Sequence, residues 1–343
     1  MSRTLHLDAS NPADLERAAG LLRSGALVAF ATETVYGLGA NALSAEAVAG
    51  IFVAKQRPSW DPIIVHLASA EQLSWVARVP AELVSRIAVL AEAFWPGPLT
   101  LLLPRTEAVS DAVTAGRELV GVRVPAHPAV RALLAAVGLP IAAPSANLFG
   151  HTSPTTAAHV LADLDGRIDA VLDAGPTSIG VESTVLDPTQ TPMALYRPGA
   201  VTAEQLSAVT GIAVEVFVPA ADVQTSQPAS MPSPGVGIRH YAPRARMVLV
   251  EGSDDALLAA VHAAELPGAS VGVLLPEDWE LQSDAVVERW GRWNDPIALA
   301  AGLFAGLRAL DDRGVAVILC PLPEAGGLAD AIRDRLQKAA RSA

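Results

Sequence analysis

Short apolar runs alternate with amphipathic segments along the chain up to residue 215. The amphipathic segments begin at helix-capping residues, and Asn11, followed by Pro12, is one of them. The apolar runs have the length of buried strands, and four of them are Ala26–Ala31, Pro62–Leu67, Leu99–Leu103 and Glu118–Val124. Alternating strands and helices predict an α/β domain. The Gly-rich segment Thr32–Asn41 is predicted to be a turn.

The composition changes after residue 215. Residues 216–244 are rich in Pro and Ser, which is typical of a linker. A second α/β pattern then begins, with strands predicted at Met247–Val250, Ser270–Leu275 and Val315–Leu319. We therefore predict a first domain (1–215), a linker (216–244) and a small domain (245–343) with a parallel, Rossmann-like sheet. No Gly-x-Gly-x-x-Gly follows its strands, which favours a regulatory or docking role over dinucleotide binding.

Composition narrows the class of protein. The 343 residues are 51% apolar, which is enough for two buried cores. Cys320 is the only cysteine, so a disulfide framework and a Cys-rich zinc site are excluded within one chain, and a reducing cytoplasm is expected. A net charge of −12 argues against a function that depends on binding the phosphate backbone of nucleic acid. We expect neither a signal peptide nor a membrane span.

Lysine is rare in this chain and occurs only at Lys55 and Lys338. Lys55 stands two residues before Arg57, at the end of a predicted helix. The Arg guanidinium is planar and can donate two parallel hydrogen bonds, whereas the Lys ammonium is a compact charge. The pair therefore suits a polyphosphate, whose oxygens point in several directions. A solvated helix end, whose cations complement the helix dipole, explains the same pair. The segment alone leaves both interpretations open.

Several polar residues share one kind of position, at predicted strand ends or in the turns that follow. They are Thr34, Arg57, His66, Arg123, Ser145, Asn147, Ser183 and Arg197. Each has an ordinary explanation alone: His66 fits a core histidine, and Ser145 fits a turn. Because ligands of α/β sheets bind outside strand ends, their shared location predicts a binding site. The chain has no P-loop, no Gly-x-Ser-x-Gly elbow and no His-x-x-x-His pair.

Nine phrases occur in an order and spacing that resemble a known family. They are Thr32-Glu-Thr-Val-Tyr-Gly-Leu-Gly, Lys55-x-Arg57-Pro-Ser, Pro62-Ile-Ile-Val-His66, Trp95-Pro-Gly-Pro-Leu-Thr, Val122-Arg-Val-Pro-Ala-His, Ala143-Pro-Ser-Ala-Asn147, Glu182-Ser-Thr-Val-Leu-Asp, Arg197-Pro-Gly-Ala and His240-Tyr-Ala-Pro. The chain resembles the YrdC-type threonylcarbamoyl-AMP synthases in their long, two-domain form. The resemblance covers essentially the whole chain and implies a twisted-sheet YrdC-like domain followed by a Rossmann-like one.

The resemblance implies a reaction. Such enzymes convert L-threonine, bicarbonate and ATP into threonylcarbamoyl-AMP and pyrophosphate, the first step of threonylcarbamoyladenosine modification of tRNA. Lys55 and Arg57 would then be catalytic, neutralising charge on the phosphoryl oxygens. Mg²⁺ would arrive with ATP, with no tightly bound protein metal site. A downstream tRNA threonylcarbamoyl transferase complex would be a partner, and neither a membrane nor strong direct nucleic-acid binding is expected.

The resemblance also implies which residues bind each substrate. L-threonine would be bound by Thr34, His66, Arg123, Ala143 (through its backbone) and Ser183. ATP would be bound by Arg57, Asp61, Leu119 (through its backbone), Ser145, Asn147, Ser153, Arg197 and Tyr241. Arg123 is our choice for the threonine carboxylate, because a guanidinium matches it bidentately. Tyr241 would come from the linker, which would close over the site as a lid.

The chain departs from the family pattern at two places. Asp61 stands where family members commonly have Asn, and a carboxylate repels phosphates unless it meets Mg²⁺ or a base edge. The usual Ser-Pro-Gly-Met-Lys-Tyr of the linker is replaced by Ser233-Pro-Gly-Val-Gly-Ile-Arg239, so a Lys is missing. We expect Arg239 to replace that cation.

Three other functions are weighed against this one. An RNA-binding module without catalysis would use a cation-lined α/β surface, which the net charge of −12 and the scarcity of aromatics disfavour. A carbamoyl-adenylate maker of the hydrogenase-maturation type shares the first domain but carries zinc motifs and further domains. In the third, the small domain is a docking unit that regulates the first.

Overall fold

The computed structural model describes residues 3–218, 231, 233, 240–264 and 270–341. The chain forms two compact units. The first comprises Met1–Phe149, Pro154–Thr177 and Glu182–Gly237, and the second comprises Gly150–Ser153, Ser178–Val181 and Ile238–Ala343. Most of the predicted linker, including Arg239, lies outside the described residues, so its predicted lid role stays a prediction.

The first unit is built from strands and helices in alternation. Its strands are β1 (Leu5–Asp8), β2 (Val28–Ala31), β3 (Tyr36–Asn41), β4 (Ile64–His66), β5 (Leu99–Pro104), β6 (Leu119–Arg123), β7 (Ile141–Ala142), β8 (Ala170–Asp173), β9 (Thr184–Asp187), β10 (Met193–Arg197) and β11 (Val214–Val216). Its helices are α1 (Pro12–Arg23), α2 (Ala45–Lys55), α3 (Leu73–Val76), α4 (Val84–Phe94), α5 (Asp111–Thr114), α6 (Pro128–Val137), α7 (Ala157–Leu164) and α8 (Ala203–Thr210). Short 3-10 turns cover Ala70–Gln72 and Ala81–Leu83.

These strands form one mixed sheet in the order β1-β8-β2-β3-β7-β4-β6-β5-β9-β10-β11. Most of the strands are buried, as their near-continuous apolar sequences predict. One apolar cluster centres on α2, α4 and β5, and another lies between α1, α6 and β2. The α/β prediction is confirmed.

Part of the predicted Thr32–Asn41 turn is wrong, because β3 pairs antiparallel with β2. Only Thr32–Val35 turns the chain, and Thr32 Oγ1 bonds to the carbonyl of Val35 at 2.7 Å. The glycines that suggested a turn serve close packing instead. A Cβ on Gly39 would lie 2.5 Å from the Phe30 ring and 2.9 Å from Ile141. A side chain there would therefore separate β3 from its neighbours.

The second unit contains a four-stranded parallel sheet in the order β12-β15-β13-β14. Its elements are β12 (Arg246–Val250), α9 (Asp254–Ala264), β13 (Val271–Leu275), β14 (Val286–Arg289), α10 (Pro296–Asp312), β15 (Val317–Pro321) and α11 (Leu328–Ala339). The predicted small parallel sheet is confirmed, although the sequence pattern missed β14. Within the described ranges, no helix has the length and apolar character needed to cross a membrane.

Candidate active site

The end of α2 sets the positions of the two predicted catalytic cations. Ser44 caps the start of the helix, and Gln56 ends it in the left-handed conformation (φ +53°). This reversal returns the chain, so that the amide of Arg57 bonds to the Phe52 carbonyl at 3.0 Å. Lys55 is therefore on the last helical turn, and Arg57 begins the loop that follows.

Lys55 is buried and holds a loop by its ammonium group. Nζ donates to the carbonyls of Ser145 and Asn147, at 2.5 Å each. The Lys55 carbonyl also accepts from the Phe149 amide at 2.9 Å. Burial, reinforced by Arg57, lowers the pKa of Lys55 well below its usual range. These contacts give Lys55 a role in positioning the predicted ATP-binding loop, beside the charge neutralisation expected from the sequence.

Strand β3 holds the same loop from its other side. The Leu38 amide donates to the Pro144 carbonyl (2.8 Å), and the Ala146 amide donates to the Tyr36 carbonyl (2.8 Å). The Ala143 amide donates to the Ile64 carbonyl at 2.9 Å. The structure therefore brings Ala143, Ser145 and Asn147 together beside Lys55.

Arg57 forms a buried ion pair with Asp61. Its Nη2 lies 2.9 Å from Asp61 Oδ2 and 2.7 Å from the Pro62 carbonyl. Asp61 is 1% exposed, and burial raises the pKa of its carboxyl although Arg57, Lys55 and Arg197 act to lower it. Three cations therefore act electrostatically on one buried position. The Asp61 carboxylate therefore neutralises part of the positive charge of Arg57, which we predicted from the sequence to bind phosphate.

Arg123 lies at the end of β6 and is joined to three groups. Its guanidinium donates to Thr34 Oγ1 (3.0 Å), to the Gly97 carbonyl (3.1 Å) and to Glu33 Oε1 (2.5 Å). The other Glu33 oxygen accepts from the Ala126 amide at 3.0 Å. Although burial works to raise it, the pKa of Glu33 is lowered, chiefly by the Arg123 charge.

The contacts of Arg123 limit which of its N–H groups are available to a ligand. Gly97, Thr34 and Glu33 occupy three of the five guanidinium N–H groups. One N–H group on each terminal nitrogen remains, so the predicted role of Arg123 in binding a carboxylate stays a prediction. The sequence analysis missed Glu33, although an acidic residue between two threonines in an apolar segment was a usable signal.

His66 is adjacent to Arg123, because β4 pairs with β6 in a register that places the two residues opposite each other. The imidazole is 4% exposed, and its edge faces the Phe30 ring at a centroid distance of 6.3 Å. Burial, together with the Arg123 charge, lowers the pKa of His66 to about 3, so the ring is neutral at physiological pH. Its buried Nδ1 has no hydrogen-bond partner among the described residues.

Ser183 and Arg197 form a second polar group. The antiparallel pairing of β9 with β10 places Arg197 opposite Val185. From there its guanidinium donates to the Ser183 carbonyl (2.9 Å) and to Ser183 Oγ (3.0 Å). Ser183 Oγ also lies 2.8 Å from Thr100 Oγ1. Arg197 is therefore a buried cation rather than a surface one.

Leu119 opens β6 beside a cavity of about 310 Å³. The cavity is lined by Leu102, Gly116, Arg117, Glu118, Leu119 and Tyr196. Its walls combine apolar, aromatic, cationic and acidic side chains.

The two remaining predicted ATP ligands, Ser153 and Tyr241, belong to the second unit. Both are buried. Within that unit, the Tyr241 ring stacks on Phe304. Among the described residues, no group of three or more His, Cys, Asp or Glu could hold a metal ion.

The first unit is thus a mixed α/β sheet whose buried cations face polar loops at strand ends, which is the layout of a nucleotide- or anion-binding enzyme. Two family models match the chain. Residues 20–199 match the Sua5/YciO/YrdC model, described as telomere recombination, and residues 201–341 match the threonylcarbamoyl-AMP synthase, C-terminal domain. The chain belongs to the Sua5/YciO/YrdC family.

Individual relatives span nearly the whole chain. A threonylcarbamoyl-AMP synthase of Bacillus subtilis is 44% identical, over 96% of this chain and 94% of its own length. One of Pyrococcus abyssi is 43% identical, over 94% of this chain and 92% of its own. The crystal structure of P. abyssi Sua5 complexed with L-threonine has a TM-score of 0.87 and 40% identity, and covers 99% of this chain and 98% of that one.

Proposed function

We propose that this chain is an L-threonylcarbamoyladenylate synthase, a nucleotidyltransferase of tRNA modification. It combines L-threonine, bicarbonate and ATP into threonylcarbamoyl-AMP, pyrophosphate and water. Full-length relatives that carry this name support the proposal, as does the match of the second region to the C-terminal domain of such enzymes. The structural observation that carries it is a pair of buried cations at the end of α2: Lys55, which holds the loop of Ser145 and Asn147, and Arg57, which pairs with Asp61.

The chemistry suits such a site. Bicarbonate adds to the threonine nitrogen to give a carbamate and water, and a carbamate oxygen attacks the α-phosphorus of ATP while pyrophosphate leaves. Negative charge grows on the phosphoryl oxygens, and fixed cations stabilise it without reorganising. No protein nucleophile takes part, so catalysis rests on positioning and electrostatics.

We assign L-threonine to Thr34, His66, Arg123, Ala143 (through its backbone) and Ser183. The neutral imidazole of His66 suits a hydroxyl or amine partner, because it carries both a donor and an acceptor. Arg123 supplies the cation for the substrate carboxylate.

We assign ATP to a larger set of residues, with Lys55 and Arg57 as the catalytic cations. Its ligands are Arg57, Asp61, Leu119 (through its backbone), Ser145, Asn147, Ser153, Arg197 and Tyr241. Mg²⁺ bound to the ATP phosphates would supply further charge neutralisation there. Asp61 is the carboxylate of this group that fits a Mg²⁺ ligand, although its ion pair with Arg57 competes for that role. The product passes to a tRNA threonylcarbamoyl transferase complex.

The test is pyrophosphate release from ATP and Mg²⁺ as each amino acid is added in turn, with and without bicarbonate. We expect release that requires both threonine and bicarbonate, with little response to serine. Release that is independent of the amino acid, or absent, would overturn the proposal. A salt-sensitive complex with tRNA in the absence of ATP would instead support an RNA-binding module.

A further inference from the structure

Tyr241 has a backbone conformation that its neighbours must hold in place. Its φ of +63° lies in the left-handed region, where a bulky side chain is a genuine outlier. Such a conformation persists only where the surrounding structure determines it, and it often marks a functional position. The residues that determine it can be identified within the second unit.

The backbone of Tyr241 is fixed by the segment Gly150–Ser153. The Ala242 amide donates to the Gly150 carbonyl at 2.9 Å, and Ala242 forms a parallel bridge with His151. Thr152 Oγ1 lies 3.4 Å from the Tyr241 carbonyl. In turn, the Arg308 guanidinium bonds to the Thr152 carbonyl at 2.5 Å. The peptide group that follows Tyr241 is therefore anchored at both its carbonyl and its amide.

The ring of Tyr241 is held by two side chains from different helices. Phe304 of α10 stacks on it at a centroid distance of 5.8 Å and an interplanar angle of 25°. The guanidinium carbon of Arg335, on α11, lies 5.2 Å from the ring centroid. An arginine at this distance from an aromatic ring attracts it through its charge, most strongly when both are out of water.

Arg335 is itself buried and oriented. Its side chain is 0% exposed, and Nη1 lies 2.7 Å from Asp334 Oδ2. Lys338 contacts the same carboxylate at 2.8 Å. Although burial works to raise it, the pKa of Asp334 is lowered by Lys338 and Arg335, so it remains the counter-charge. Burying a guanidinium costs desolvation free energy, and an apolar side chain would pack equally well between the helices. Helix packing alone therefore does not explain a buried arginine at this position.

We propose that Arg335 is a positioning residue that holds Tyr241 in its left-handed conformation and thereby supports ATP binding. This inference rests on the proposed function for the assignment of Tyr241 to ATP. It gives the second unit a defined task, which is to fix the conformation of one substrate-binding residue.

The experiment is a double-mutant cycle of Arg335→Met and Tyr241→Ala in the full chain, with ATP affinity measured by calorimetry. Each single variant should weaken ATP binding about tenfold. The double variant should be no weaker than Tyr241→Ala, because Arg335 acts through Tyr241. Arg333→Met is the matched control on the same helix and should bind ATP as the wild type does. Additive effects, or unchanged affinity in Arg335→Met, would overturn the inference.

A second readout does not depend on ATP. The chain has three tyrosines, so fluorotyrosine labelling gives three ¹⁹F resonances, and Tyr241→Phe assigns one of them. Arg335→Met should shift the Tyr241 resonance and leave the other two in place. If Arg335→Met does not fold, Arg335→Lys, which keeps the charge and loses the planar group, takes its place in both experiments. If the Tyr241 resonance does not shift, the positioning role is contradicted. Failure of the proposed function is a different result: the wild-type protein would then show no threonine-dependent release of pyrophosphate.

Discussion

The carboxylate of Glu33 and the guanidinium of Arg123 form a buried ion pair, with Oε1 and Nη2 2.5 Å apart. The second Glu33 oxygen accepts from the backbone amides of Ala126 and His127, so the carboxylate is fixed at both ends. Glu33 thus compensates the charge of Arg123, which is buried at 3% exposure. In the proposed function, the threonine carboxylate would therefore meet a guanidinium whose orientation is already set.

Removing the Glu33 charge should impair threonine binding specifically. We expect Glu33→Gln to raise KM for threonine about tenfold, because Arg123 loses its partner and its orientation. KM for ATP should stay within about twofold of the wild type. Glu46→Gln, at an exposed position on α2, is the matched control. An unchanged threonine KM in Glu33→Gln would show that Arg123 needs no counter-ion to work.

Lys55 should act through the loop that it holds. Lys55→Met removes two hydrogen bonds to the carbonyls of Ser145 and Asn147, and we expect activity to fall about 100-fold as the loop moves. ATP affinity, measured by calorimetry, should fall with it. If Lys55 only neutralised charge in the transition state, kcat would fall while ATP affinity stayed constant, which would contradict the positioning role.

Asp61 should make ATP binding pH-dependent. Burial raises the pKa of its carboxyl above the ordinary 3.8. As pH falls toward that raised pKa, protonation removes the anion beside Arg57, so ATP binding should tighten as the pH is lowered from pH 8. Measured without Mg²⁺, so that a role of Asp61 as a metal ligand does not contribute, Asp61→Asn should bind ATP about three- to tenfold more tightly than the wild type at pH 8 and should flatten this trend. Parallel pH profiles for the two proteins would rule out Asp61 as the group responsible.

His66 should not titrate in the folded protein at neutral or mildly acidic pH. Its pKa is about 3 in the fold and 6.5 when exposed, so the unfolded state binds the proton first as pH falls. The contribution of His66 to the free energy of unfolding is complete above pH 6.5 and falls by about 1.4 kcal/mol per pH unit below it, down to about pH 3. The His66 Hε1 shift in NMR spectra should stay constant from pH 8 to pH 5, and a midpoint near 6.5 would contradict this account.

Much of the fold could be predicted from local patterns. The pattern Thr202-x-x-Gln205 indicates a capping box, and the box forms, because both of its hydrogen bonds lie within one helical turn. The same pattern at Ser69 and Gln72 formed only in part. Gln72 accepts from the Ala68 amide, but Ser69 makes no capping bond and a 3-10 turn follows it. A four-residue capping pattern does not determine the backbone direction at the end of the preceding strand, and that direction decides whether the capping bond can form.

The candidate site was only partly predictable, for a related reason. Strand ends located Thr34, His66 and Arg123 correctly in one neighbourhood, because sheet geometry brings strand ends together. Their partners were not predictable. The Glu33–Arg123 and Lys55–Ser145 contacts join residues 90 positions apart in the chain, and only the tertiary fold brings such residues together.

The most direct test of the central claim is the identity of the product. The chain would be incubated with ATP, Mg²⁺, L-threonine and ¹³C-bicarbonate, and the nucleotides analysed at once by mass spectrometry. We expect threonylcarbamoyl-AMP carrying one ¹³C, formed in equal amount with pyrophosphate and lost in Arg57→Met. Pyrophosphate accompanied by unmodified AMP alone, or a threonine adduct without the label, would contradict the proposed function.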